Sequence, residues 1–109
     1  MKIAEDVYRL TRGFPRDEMY GMTSQMRRSS ASIAANIAEG YGRENRGSFV
    51  QYLRIAQGSL KEIETHLLLS ERVGLLKRKQ IESLLEQSDE LGRMLRSLIR
   101  VVQRKAASN

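Results

Sequence analysis

Apolar side chains recur every three or four residues through most of this 109-residue chain. This spacing places them on one face of an α-helix. The pattern breaks at glycine or proline and resumes after each break, and no segment alternates apolar and polar residues as a half-buried strand does. The sequence therefore predicts an all-α fold, an up-down-up-down antiparallel four-helix bundle, with residues 1–109 forming a single domain.

Glycines mark the ends of the predicted helices. Gly40 and Gly42 follow the second helix and Gly74 follows the third, and we expect left-handed glycine caps at these points. The short link at Gly74 requires the last two helices to be antiparallel. Gly21 weakens the start of the second helix, so the residues before it alternatively form a separate turn. The four helices are predicted at about residues 2–12, 16–41, 45–73 and 77–104.

The second helix carries polar residues beside its apolar seam. Asn36 and Glu39 lie close to that seam, and Arg54 lies on the third helix. We interpret all three as structural residues, because buried polar groups need hydrogen-bond partners that fix how helices meet. The alternative interpretation is a functional site at Asn36 and Glu39. We expect Glu39 to pair with Arg43 or Arg46, and Arg54 to pair with a glutamate.

Two glycines interrupt the last two helices at matching positions. Folding this hairpin about residue 75 places Gly58 opposite Gly92. A glycine inside a helix costs about 1 kcal/mol relative to alanine. We therefore predict close contact between the two helix backbones at this pair.

The charge distribution favours a polyanionic partner. The formal net charge is +6, and 14 of the 19 basic residues are arginines, whose guanidinium groups bind phosphate or carboxylate through two donors. Four arginines follow one another at steps of three, four and four near the C-terminus, and no acidic residue follows Glu90. A solvated face is the alternative to nucleic-acid binding. The candidate nucleic-acid-binding residues are Arg93, Arg96, Arg100, Arg104, Lys105, Arg27, Arg28, Arg43 and Arg46.

Residues for catalysis or metal binding do not form any familiar pattern. His66 is the single histidine, the chain has no cysteine, and no serine lies in a nucleophile elbow. We expect no enzymatic activity, no cofactor and no metal. Without a secretory signal or an apolar run that could span a membrane, the chain is expected to be cytoplasmic and to have no membrane partner.

Long stretches of the chain resemble a known family. TSQMRRSSASIAANIAEGYGR (Thr23–Arg43) and FVQYLRIAQGSLKEIETHLLLSERVGLL (Phe49–Leu76) are similar to the four helix bundle protein family. Members of that family were first noticed as reading frames in intervening sequences of bacterial 23S rRNA genes. Phe14-Pro15 and Tyr20-Gly21 also match. Two departures are the absence of a tryptophan-bearing segment before Val7 and an alanine at position 34, where the family often has proline.

The resemblance implies an assembly and a partner. Members look like bundles that form pentameric rings, so we expect a homo-oligomer, with five as the implied number. Leu67-Leu68-Leu69, Ile99 and Val101 exceed the needs of one narrow apolar stripe, so some of this apolar surface is expected to face another subunit. The family also resembles the accessory protein of diversity-generating retroelements, which partners a reverse transcriptase and binds nucleic acid.

Two functional interpretations follow from these features. The first is a basic, oligomeric, non-catalytic accessory protein that binds RNA or DNA through its arginine-rich surface. The alternative is a protein-interaction module that docks a partner, such as a nucleic-acid enzyme, without binding nucleic acid directly.

Overall fold

Four antiparallel helices make up the structure. The computed structural model describes residues 2–108, with the backbone alone at 18–20 and 106–108, so Met1 and Asn109 of the predicted domain lie outside the described residues. The bundle measures 52 × 23 × 18 Å, and no strand occurs within residues 2–108. The predicted four-helix bundle is confirmed. Its helices are α1 (Lys2–Thr11), α2 (Ser24–Tyr41), α3 (Arg46–Arg72) and α4 (Arg78–Ser108).

The core follows the apolar spacing of the sequence. Steps of three and four residues keep one face of each helix turned inward, as with the buried Leu53, Leu60 and Leu67 on α3. Leu76, in the link after α3, also enters the core. The largest apolar side chains that are fully buried are Met26, Ile33, Leu53, Ile63, Leu67, Ile81 and Val7.

Helix α1 is much shorter than its neighbours. At 1.5 Å per residue, its 10 residues reach about 15 Å, whereas the 31 residues of α4 reach about 46 Å. The Gln87 side-chain amide donates to an Asp6 carboxylate oxygen at 2.9 Å, and Arg27 Nε donates to Thr11 Oγ1 at 3.0 Å. These contacts hold α1 against the half of the bundle near the α3–α4 link. It leaves the other half of the face between α2 and α4 uncovered.

The start of the second helix differs from the prediction of one helix over 16–41. A 3₁₀ turn spans Arg16–Glu18 and a π-helical segment spans Met19–Thr23 before α2 begins. Gly21 has φ −101° and ψ −107°, outside the helical region. Glycine adopts such a conformation without a steric penalty from a side chain. The alternative of a separate turn before the helix is therefore correct.

Two of the glycine expectations need correction. Gly42 at the end of α2 has φ −79°, so a left-handed cap there is wrong. A Cβ atom at Gly40 would lie 3.1 Å from Phe49 Cδ1, so this glycine instead allows α3 to begin close to α2. Gly74 does adopt the left-handed conformation, with φ +84°, and ends α3 as expected.

The predicted contact between Gly58 and Gly92 is also wrong. Both residues line one groove between α3 and α4. However, a Cβ atom at Gly58 would meet nothing within 4 Å, and one at Gly92 would lie 3.5 Å from Leu60 Cδ2, an ordinary contact. The two glycines therefore share one groove, but Gly58 is exposed and has open space beside it where close packing was expected.

Candidate functional site

The four arginines of α4 form an exposed stripe along the outer side of that helix. We call Arg93, Arg96, Arg100 and Arg104 the arginine stripe, and all four side chains are exposed. Arg93 lies 3.4 Å from Asp89, but these side chains are 66% and 68% exposed, so water screens the pair. The outward direction follows from the spacing, because the stripe lies opposite the buried positions Leu95 and Val102.

A second group of basic residues gathers at one end of the bundle. Helix α2 ends there, α3 begins there, and α4 returns there, so sequence-distant residues meet. The Arg46 guanidinium donates a hydrogen bond to the backbone carbonyl of Lys105, which joins the start of α3 to the last turns of α4. Helix C-termini carry partial negative charge, which favours cations at this end. We call Arg43, Arg46, Arg104 and Lys105 the basic end.

Aromatic rings adjoin the basic end. Arg43 Nη2 donates to Tyr52 Oη at 2.8 Å, and its guanidinium carbon lies 4.8 Å from the centre of the Tyr52 ring. The Tyr41 ring lies 4.9 Å from that of Phe49 and remains 63% exposed. The basic end therefore presents both guanidinium donors and an exposed aromatic face.

Arg27 and Arg28 lie away from the basic end. Arg27 is half-buried between α1 and α2, where its guanidinium carbon is 4.6 Å from the centre of the Tyr8 ring. Its hydrogen bond to Thr11 makes it part of the packing of α1. Arg28 is exposed and donates to the side chain of Gln25. The structure thus does not bring these two predicted residues to the same surface as the others.

The predicted structural polar residues have different surroundings. The Asn36 amide donates to the carbonyl and the hydroxyl of Ser32 at 2.8 and 2.9 Å, and that hydroxyl also accepts from Ser59 on α3 at 2.8 Å. Glu39 accepts from Arg43 at 3.0 Å, one of its two expected pairings. Arg54, for which we expected a glutamate, forms no ion pair with any side chain that the structure describes.

Two serine–glutamate hydrogen bonds, which the sequence did not indicate, join α3 to both neighbours. Ser29 Oγ on α2 donates to Glu62 at 2.6 Å, and Ser88 Oγ on α4 donates to Glu64 at 2.7 Å. Two residues along a helix correspond to about 200° of rotation, so the two carboxylates reach opposite sides of α3. This arrangement separates the carboxylates and supports helix packing.

An apolar groove lies where α1 fails to cover α2 and α4. Its volume is about 570 Å³, and Ile37 and Tyr41 on α2 face Leu91, Met94 and Leu98 on α4 across it. Met94 is 61% exposed. No local sequence pattern indicates this groove, although the shortness of the first helix relative to the fourth is a usable signal.

The expected surplus of apolar residues is divided between core and surface. Leu67 and Ile99 are buried in the core, so they do not contribute to an apolar surface. Leu68, Leu69 and Val101 are 41%, 43% and 44% exposed. Only these three of the predicted set present apolar area at the surface.

Neither a metal site nor a membrane span is seen in the described part of the chain. His66 is half-buried on α3, and its Nδ1 atom has no hydrogen-bond partner among the described residues. The side chains that the structure describes contain no cluster of three or more that could hold a metal ion. None of the helices within residues 2–108 combines the length and the apolar character that crossing a bilayer requires.

Comparisons with known proteins agree with this architecture. Residues 1–97 match the model of the family described as 23S rRNA-intervening sequence protein. A search of curated proteins gives no match. A solved structure from Bacteroides thetaiotaomicron, a protein of unknown function from the S23 ribosomal protein family, is similar with a TM-score of 0.83 and 31% identity, over 90% of this chain and 92% of that one. By its helical architecture and its match over residues 1–97, the chain belongs to the 23S rRNA-intervening sequence protein family.

Proposed function

We propose that this protein is a non-catalytic, oligomeric accessory protein that binds the phosphate backbone of nucleic acid. The observation that carries the proposal is the continuity of the arginine stripe with the basic end, which meet at Arg104. No acidic residue follows Glu90 in the sequence, so the last turns of α4 carry only positive charge. Such a surface attracts a polyanion over several turns of helix.

The spacing of the arginines suits contacts to a polymer. Steps of three and four residues advance about 4.5–6 Å along the helix, so successive guanidinium groups can meet successive phosphates. Contacts to phosphate position a nucleic acid without reading its bases. We therefore propose binding that depends strongly on salt and weakly on base sequence, with the exposed Tyr41 ring available for stacking beside the basic end.

Self-association is the second part of the proposal. The apolar groove needs a partner. On α3, Leu69 and Val73 lie about four and five helical turns after Ile55, so the three exposed apolar side chains share one side of that helix. We propose that this side of α3 in one copy covers the groove of the next. Contacts between two different surfaces generate closed rings when the rotation permits. The family resemblance suggests five copies.

Affinity capture with and without nuclease tests the proposed function. The tagged full chain is recovered from a bacterial lysate, and one half of the sample is digested with ribonuclease and deoxyribonuclease. We expect nucleic acid to co-purify with the untreated protein and to disappear after digestion. If no nucleic acid is recovered and a protein remains bound after digestion, the protein-interaction module is the correct alternative.

A further inference from the structure

A groove between α3 and α4 places two arginines and two glycines across from each other. Its volume is about 430 Å³, and its walls include Arg54 and Gly58 on α3 and Gly92 and Arg96 on α4. The antiparallel hairpin sets Arg54 across from Arg96 and Gly58 across from Gly92. We call this the glycine groove. It lies on the side of α4 next to the arginine stripe, which shares Arg96 with it.

Packing within the chain does not explain these glycines. A mid-helix glycine destabilises a helix relative to alanine. A Cβ atom at Gly58 would meet nothing within 4 Å, and one at Gly92 would make only ordinary contacts at 3.5 Å. Alanine would therefore fit at both positions and favour the helices. At Gly58, which is exposed, the missing side chain leaves open space in which another group can approach the backbone of α3.

The two acidic residues of the groove have partners within the chain, whereas its two facing arginines have no ion pair with any side chain that the structure describes. Glu64 accepts hydrogen bonds from Ser88 and Lys61, and Asp89 pairs with Arg93. Arg54 and Arg96 form no ion pair among the described side chains. Arg96 Nη1 lies 3.5 Å from the position of a Cβ atom on Gly92, so its guanidinium folds back over this buried glycine at the edge of the groove.

We propose that the glycine groove binds one phosphate group between Arg54 and Arg96. The oxygens of a phosphate point in tetrahedral directions, so donors from opposite walls can reach different oxygens. A planar carboxylate is satisfied by a single bidentate guanidinium and gains less from two facing arginines. Arg96 also belongs to the arginine stripe, so this proposal rests on the proposed nucleic-acid binding. The favoured source of the phosphate group is a phosphodiester of nucleic acid, and a free phosphate compound is the other source of the same chemistry.

A variant that fills the groove gives the sharpest test. Gly58→Leu adds a side chain where the groove is empty and where leucine favours the helix. We expect a higher thermal unfolding midpoint, unchanged helicity and about 10-fold weaker binding of a single-stranded oligonucleotide, since one charge-assisted contact is lost. Gln51→Leu adds the same side chain at an exposed position of α3 outside the groove and should bind as the parent does.

Charge variants and a small phosphate probe complete the experiment. Arg54→Gln should weaken oligonucleotide binding by about 10-fold, whereas Arg72→Gln, the same change elsewhere on α3, should change it little. Titration with inorganic pyrophosphate should shift the Gly58 and Gly92 amide resonances in the parent and not in Arg54→Gln. Such shifts without any oligonucleotide binding would support the groove with a free phosphate compound as its source, while the proposed nucleic-acid function would fail.

Three outcomes would overturn the inference. In the first, Gly58→Leu and Arg54→Gln bind oligonucleotide as the parent does, while Arg100→Glu with Arg104→Glu abolishes binding, so that only the proposed function survives. In the second, neither oligonucleotide nor pyrophosphate binds the parent. In the third, Gly58→Leu changes the sedimentation coefficient and leaves nucleotide binding intact, which would identify the groove as a contact between copies of the chain.

Discussion

Single residues decide how α3 meets its two neighbours. Ser88 is fully buried, and its hydroxyl reaches a Glu64 carboxylate that stays partly exposed. Ser29 makes the equivalent contact from α2 to Glu62. Hydrogen bonds to a charged group contribute more than neutral ones, and a buried hydroxyl without its partner costs more than an exposed one. These two serines therefore stabilise the packing of α3 through their hydrogen bonds as well as through their small size.

Replacing Ser88 tests this account. Ser88→Ala should lower the free energy of unfolding by about 1–2 kcal/mol, because a charge-assisted hydrogen bond is lost while Glu64 regains water. Urea denaturation followed by circular dichroism measures the difference. Ser97→Ala, an exposed position on the same helix, should change the stability by less than about 0.5 kcal/mol. Equal effects of the two substitutions would contradict the importance of the buried contact.

Residue-level prediction from sequence succeeded where the cause is local. The left-handed cap at Gly74 depends on the neighbouring backbone, which the sequence displays. The conformation of Gly42 and the need for glycine at position 40 depend on where Phe49 of α3 lies, and no local pattern contains that information. The contacts of Arg27 with α1 likewise depend on where another helix lies, so the sequence did not indicate them.

At the scale of helices, lengths and ends determine what stays exposed. Spacing predicted which face of each helix is buried, and the arginine stripe lies on the exposed face of α4. Spacing could not predict that α1 would leave half of the α2–α4 face open, because this depends on how helices of unequal length align. The basic end likewise required the bundle to bring three helix ends together. Sequence thus predicted the fold well and the site only along a single helix.

The N-terminus of α3 offers a prediction at this scale. The Asn45 side chain accepts a hydrogen bond from the Ser48 N–H at 3.1 Å. Asn45→Ala should lower the free energy of unfolding by about 1 kcal/mol, since a free N–H at the helix start loses its acceptor. Asn45→Asp keeps an acceptor and should retain most of the stability. Thermal unfolding of the three proteins at one concentration measures this, and a drop for aspartate as large as that for alanine would contradict the capping role.

At the scale of the whole molecule, the two apolar surfaces should pair between copies. Met94 lies in the apolar groove and Leu69 lies on the proposed partner side of α3. Met94→Glu and Leu69→Glu should each give monomers, because each destroys one half of every contact. A mixture of the two variants retains one intact pair of surfaces and should form a one-to-one dimer.

Sedimentation velocity at micromolar concentration distinguishes these states. Gln103→Glu, at an exposed position on the side of α4 opposite Met94, is the control and should assemble as the parent does. A parent chain that sediments as a monomer would refute self-association. Variants that fail to combine when mixed would instead argue against a contact between two different surfaces.

The salt dependence of nucleic-acid binding shows whether the arginine stripe contacts phosphate groups. Fluorescence anisotropy of a labelled single-stranded oligonucleotide gives the slope of log affinity against log salt for the parent and for Arg100→Gln with Arg104→Gln. Each lost phosphate contact should lower the slope by roughly 0.7, so the double variant should lose about 1.4 for each chain in contact. Arg12→Gln with Arg16→Gln removes the same charge at the opposite end of the bundle and should keep the parent slope. If the double variant in the arginine stripe keeps both the affinity and the slope of the parent, the stripe does not bind phosphate and the account is wrong.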